Sequence, residues 1–209
     1  MPLQTVTISG HSIEFELPDP DALLNEAVEG EAAGTPGWDP YWGMLWAAAT
    51  PTAKLMQFRP STAVTALELG CGVGLTGIAA LHAGLNVTFS DQSPSAVAMA
   101  CRNAARNGFP EATGLAFDWQ SPPANQFDLL FGSDILYDPR GHKPLLVTLE
   151  QMLNPGGQVW IGDAGRTHAP AFASLAQAAG WKIDNRDHHF RPIHQPAHLQ
   201  YRLLILTKR

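Results

Sequence analysis

The sequence predicts an α/β fold built on a mostly parallel sheet, and three observations carry that expectation. A glycine-rich turn, Glu68-Leu69-Gly70-Cys71-Gly72-Val73-Gly74, stands between an apolar run at 64–69 and a helical pattern beginning at Leu75. Beyond it, short apolar runs alternate with helical patterns, which implies right-handed βαβ crossovers and a sheet covered on both faces. Finally, Glu68, Asp91, Asp118 and Asp134 each close an apolar run. The carboxyl ends of parallel strands are where such sheets bind ligands.

The bulk numbers fit a folded enzyme-sized domain. The chain has 209 residues, 45% of them apolar, enough for one sizeable core. A net charge of −6 argues against sequence-independent nucleic-acid binding, which needs a basic face. Cys71 and Cys101 have neither metal-ligand nor disulfide-framework spacing and suit a reducing compartment. Residues 1–12 lack the basic and apolar regions of a leader, and no apolar run approaches the ~20 residues of a membrane span. The expectation is a cytoplasmic protein with no membrane or nucleic-acid partner, a monomer being the simplest state.

Taken in order, 3–8 and 13–17 alternate around Ser9-Gly10 and read as a β-hairpin. Pro18-Asp19-Pro20-Asp21 ends it and caps a short helix at 22–28. Residues 29–37 read as a flexible loop. The next segment, Trp38-Asp39-Pro40-Tyr41-Trp42-Gly43-Met44-Leu45-Trp46, is rich in aromatics, which either pack this segment on the core or wall a pocket. A helix at 47–58 leads to the first sheet strand. Strands are expected at 64–69, 86–90, 113–117, 127–132 and 158–162, with helices at 75–83, 94–107, 143–153 and 170–179. Pro94 sits in the first turn of its helix. Asn154-Pro155-Gly156-Gly157 stops the 143–153 helix. The last two strands, 181–187 and 200–207, have no helix between them and so pair antiparallel at an edge.

The turn departs from a dinucleotide fingerprint. Gly70 and Gly72 match its first two glycines, but Leu75 stands where the third belongs and the extra glycine is Gly74. Asp91, at the end of the second strand, is placed to accept from ribose hydroxyls. With these features, 64–163 resembles the seven-strand S-adenosylmethionine-dependent methyltransferases. The likeness rests on ELGCGVG, FSDQSP, the Asp118-Trp119 pair, FDLLFGSDILY and the LNPGG turn. It implies a Rossmann-like sheet of order 3-2-1-4-5-7-6 with strand 7 antiparallel. Residues 1–60 are then an N-terminal hairpin and aromatic helical segment on a methyltransferase unit at 61–209. The PYWGMLW segment and Asp134-Ile135-Leu136-Tyr137 are more specifically similar to the subgroup that methylates protein lysines, electron-transfer flavoprotein β-subunit lysine methyltransferases in particular.

The resemblance implies S-adenosylmethionine as cofactor and a role for each residue. Gly70, Gly72 and Gly74 let the backbone pass close to the cofactor, and Glu68 organises the turn or meets its amino group. Asp91 holds the ribose and Asp118 the adenine amino group, with Trp119 against the ring. Ser133 lies beside the methyl-bearing end, and Trp46 packs on the cofactor from the N-terminal side. Asp134 would orient and help deprotonate the acceptor amine, and Tyr137 would wall a lysine channel. The acceptor is a protein lysine; a small-molecule N- or O-acceptor, or a cofactor-binding module without catalysis, are the alternatives. His188, His189, His194 and His198 match no zinc signature and read as surface or substrate-loop residues, with no metal expected. Arg191 in the same loop is a weak candidate for an acidic substrate. Cys71 has no base beside it and reads as a packing residue.

Overall fold

The computed structural model describes residues 3–32, 40–194 and 199–208. The chain opens with a hairpin of β1 (Leu3–Ile8) and β2 (His11–Glu16), as its alternation requires. Ile8, Ile13 and Phe15 form its buried face. Helix α1 (Pro20–Ala32) is longer than expected. Asp19 caps it, its side chain accepting from Asp21 N–H and its carbonyl from Leu23 N–H. Gly30 does not stop it, since one interior glycine costs only about 1 kcal/mol. The expected loop at 29–37 is thus helical as far as Ala32, and 33–37, like Trp38 and Asp39, lies outside the described residues.

A 3₁₀ turn at Pro40–Gly43 precedes α2 (Ala49–Leu55), which a second 3₁₀ turn, Met56–Phe58, extends. This helix starts two residues later than the pattern suggested. Its entrance is tied elsewhere: Ala48 N–H donates to the Asp134 carboxylate, 2.8 Å away.

The sheet strands are β3 (Thr65–Leu69), β4 (Asn86–Asp91), β5 (Thr113–Ala116), β6 (Phe127–Ser133), β7 (Leu153–Asp163), β8 (Trp181–Arg186) and β9 (Arg202–Lys208). Their order is β5-β4-β3-β6-β7-β9-β8, with β9 antiparallel to both neighbours. Numbered by appearance within the sheet this is 3-2-1-4-5-7-6, as expected. The connecting helices are α3 (Leu75–His82), α4 (Pro94–Arg106), α5 (His142–Met152) and α6 (Ala169–Ala178).

Both faces of the sheet are covered, so its central strands are apolar on both sides. In β6, Leu129 and Phe131 join the layer containing Ile78, Val97 and the hairpin's Phe15, while Leu130 joins that containing Leu145 and Phe172. One local expectation is corrected. Asn154-Pro155-Gly156-Gly157 does end α5, but it lies within β7 rather than before it. The ladder skips from Phe127↔Leu153 to Leu129↔Gln158, leaving the turn as a bulge with Gly156 at φ +81°.

Candidate active site

The carboxyl ends of β3, β4 and β6 converge on one cleft of about 860 Å³. Its walls include every sequence-expected site residue except Gly74: Trp46, Glu68, Gly70, Gly72, Asp91, Asp118, Trp119, Ser133, Asp134 and Tyr137. Gly74 instead starts α3 at φ +86°, where a Cβ would meet Ala100 at 2.9 Å, so its service is to helix packing.

The turn itself is held by a set of specific bonds. Cys71 N–H donates to the Ser90 carbonyl at 2.9 Å and Gly72 N–H to the Asp91 carboxylate at 3.1 Å. Gly70 and Gly72 have φ of +61° and +51°, values that favour glycine. The close approach at Gly72 is made by the protein itself: a Cβ there would stand 2.7 Å from the Trp42 carbonyl. The aromatic N-terminal segment thus closes directly onto the turn. Trp46 completes that wall, its indole N–H donating to the Tyr41 carbonyl at 3.1 Å.

Glu68 lies beneath the turn, with its carboxylate accepting from Gly77 N–H at 3.0 Å. Burial pushes its pKa well up, and the nearby Asp91 charge adds to this; the Gly77 bond opposes them. Of the two roles expected for Glu68, this geometry serves the organising one. Cys71 is likewise raised, by burial first and then by the Asp91 charge, which makes a thiolate nucleophile unfavourable there. Asp91 also accepts from Ser93 N–H at 3.0 Å, and Ser93 caps α4. Asp118 is exposed and accepts from Gln120 N–H at 2.8 Å. The Trp119 carbonyl is anchored by the Thr148 hydroxyl at 3.0 Å, which fixes the half-buried indole in the wall. Ser133 Oγ lies 3.5 Å from Thr76 Oγ1.

Asp134 is the most constrained residue of the site. It has φ +55° and is 4% exposed. Its carboxylate accepts from Ala48 N–H at 2.8 Å, Ala164 N–H at 3.3 Å and Arg166 Nε at 3.0 Å. Sequence reasoning gave no sign of Arg166, a loop arginine 32 positions downstream of its partner. Its guanidinium carbon also lies 5.2 Å from the centroid of the Trp46 ring, so one cation joins the β6 end to the aromatic segment. Behind it, the fully buried Asp163 accepts from Gly165 N–H, Arg166 N–H and Arg202, fastening this loop to β9. Tyr137 is 52% exposed at the cleft edge. His188 and His189 pack ring to ring at 4.0 Å, and His198 lies outside the described residues. Among the described residues no three His, Cys, Asp or Glu side chains are grouped to hold a metal, and no helix is long and apolar enough to cross a membrane.

The chain is similar to several known methyltransferases. The chain is 31% identical over 165 residues to the ribosomal protein L11 methyltransferase of Paraburkholderia phymatum, a match covering 77% of this chain and 49% of that protein. It is 30% identical over 132 residues to the electron transfer flavoprotein beta subunit lysine methyltransferase of Danio rerio, covering 61% of this chain and 51% of that protein. The chain therefore spans about half the length of the curated relatives it matches. The TehB-like SAM-dependent methyltransferase of Corynebacterium glutamicum has the same fold, with a TM-score of 0.66 at 20% identity over 91% of this chain and all of that one. A family model described as lysine methyltransferase matches residues 37–172, from the aromatic segment to α6. The chain belongs to that lysine methyltransferase family, whose enzymes depend on S-adenosylmethionine.

Proposed function

We propose that the protein binds S-adenosylmethionine in this cleft and transfers its methyl group to a lysine side chain of a protein. The observation that carries the reading is the single cleft itself. It joins a glycine turn, the Asp91 carboxylate and the Asp118-Trp119 pair to the aromatic edge formed by Trp46 and Tyr137. The family description and the relatives named for protein substrates support a protein acceptor.

The residues fit the cofactor. The cleft volume of about 860 Å³ lies within the ~300–1,000 Å³ usual for small-molecule sites. The cofactor supplies an already activated methyl group on a sulfonium, so the protein has chiefly to position an acceptor and exclude water. Asp91 accepts from Gly72 N–H and Ser93 N–H and lines the cleft, where its carboxylate is placed for ribose hydroxyls. Asp118 Oδ1 takes the Gln120 N–H, and Oδ2 is left to accept from the adenine amino group, with the Trp119 ring alongside. Gly70 and Gly72 bring the backbone to the cleft without side chains.

At the acceptor end the aromatic face of Tyr137 favours a cationic side chain on arrival. A lysine amine must then be neutral to attack, and an apolar wall lowers its pKa. Asp134 takes a positioning part in this scheme instead of the proton-accepting part expected from sequence. Its carboxylate is already bonded to three donors and holds the Ala48 and Arg166 walls in register.

Titration calorimetry tests the cofactor half of the proposal. The wild-type protein should bind S-adenosylmethionine, and Asp91→Ala should bind at least about tenfold more weakly, the ~1.5–3 kcal/mol of hydrogen bonds to a charged group. No binding by wild type overturns the reading, and an unchanged affinity in Asp91→Ala removes the ribose role.

A further inference from the structure

We infer that Asn103 is a positioning residue for the cofactor turn, and that the N-terminal hairpin supports cofactor binding through it. The inference rests on the reading of the cleft as an S-adenosylmethionine site. The hairpin lies outside the residues 37–172 that match the family.

Side chains from two other elements meet the backbone at the head of α3. Gly74 is the N-cap of α3, so Gly77 N–H is among the first N–H groups of the helix, which have no intrahelical acceptor. It donates to Glu68 instead. The Val73 carbonyl, within the glycine turn and beside the cleft, precedes the N-cap and takes its donor from another element. Asn103 Nδ2 supplies it at 2.9 Å. Asn103 is 1% exposed and comes from α4, a different unit of the fold. The turn is thus gripped from two sides, by Glu68 from the strand and by Asn103 from the helix.

The rest of the Asn103 amide is bonded to the hairpin. Its Oδ1 accepts from Glu16 N–H at 2.9 Å and its Nδ2 donates to the Glu16 carbonyl at 3.2 Å. One turn later Asn107 repeats the arrangement, with Glu14 N–H on its Oδ1 at 3.0 Å and its Nδ2 on the Glu14 carbonyl at 2.6 Å. Two amides spaced i, i+4, one on α4 and one at its C-cap, stand in for a neighbouring strand and satisfy the outer edge of β2. The Arg106–Glu16 ion pair reinforces the same contact. Only Asn103 reaches further, to the turn. Pairing with β2 fixes which way its amide faces and so keeps Nδ2 aimed at Val73.

Asn107 provides an internal control, because it shares the hairpin contact and does not touch the turn. The experiment is calorimetric titration of S-adenosylmethionine and S-adenosylhomocysteine into the full chain, its Asn103→Ala variant and its Asn107→Ala variant, each with a thermal melt. Both variants should melt earlier than wild type. Asn103→Ala should bind both ligands about tenfold or more weakly, because a buried carbonyl of the turn loses its donor. Asn107→Ala should stay within about twofold of wild type, the size expected of a residue that touches no part of the turn. If Asn103→Ala does not fold, Asn103→Ser is titrated under the same criteria. Wild-type affinity in the Asn103 variant, or equal weakening in both, overturns the inference. Absence of binding by the wild type would instead overturn the proposed function on which it stands.

Discussion

Replacing Asp134 by Asn separates positioning from proton transfer at the acceptor end. Asparagine has nearly the same shape and tolerates the left-handed backbone seen at φ +55°, so the change alters charge and donor pattern with little added strain. What is lost is the ion pair with Arg166 and one charged acceptor for the Ala48 and Ala164 amides. Breaking a fully buried pair costs about 3–5 kcal/mol. Here the Arg166 side chain is 33% exposed while that of Asp134 is 1% exposed, so solvent screens part of the loss. We expect a cost of roughly 1–3 kcal/mol, or about 2–12 °C in melting temperature for a chain of this size. The assay is a thermal melt paired with the methyl-transfer rate. Arg166→Ala should behave alike, and the double variant should show a coupling of about 0.5–3 kcal/mol. If Asp134→Asn melts with wild type yet abolishes transfer at saturating cofactor, the carboxylate serves as a base and the positioning account is refuted.

Two further predictions concern the frame. Gly72→Ala should cost about 1–3 kcal/mol and weaken cofactor binding, because its Cβ would stand 2.7 Å from the Trp42 carbonyl at φ +51°. Gly10→Ala, at φ +86° but with nothing within 4 Å, should cost about 1 kcal/mol and leave binding unchanged; equal losses in melts and titrations would contradict this. Asp128 joins the start of β3 to the bulge in β7, accepting from Thr65 N–H, Asn154 and Val64 N–H, which lower its pKa from 3.8 to about 2. A depressed carboxylate stabilises above its unfolded pKa and loses that contribution as pH falls through the folded one. Stability should therefore decline between pH 3.8 and about 2, and Asp128→Asn should flatten that part of the melting profile.

The fold was legible wherever one physical signal dominated. Strands such as β6 are buried on both faces and read as continuous apolar runs. The strand order came from resemblance, since nothing local says which strands pair. Errors fell at termini, where tertiary bonds override pattern: Ala48 bonded to Asp134 shifts the start of α2, and the 154–157 turn bulges within a ladder. At the site, the polar residues at strand ends were visible because topology brings such ends together. Gly74 shared the turn's signature but serves helix packing. Arg166 was invisible, being a loop residue whose partner is distant in sequence. Asn103 and Asn107 carried no signal in the sequence; their bonds to the docked hairpin bring out their role.

The central claim is tested most directly by incubating the protein with methyl-labelled S-adenosylmethionine and a lysate of the organism that encodes it. Label should appear on a discrete protein band, vanish when lysines are blocked by prior acetylation, and map to a methylated lysine by peptide mass spectrometry. Label confined to small molecules would contradict the protein-lysine account, and no label with cofactor binding intact would contradict catalysis altogether.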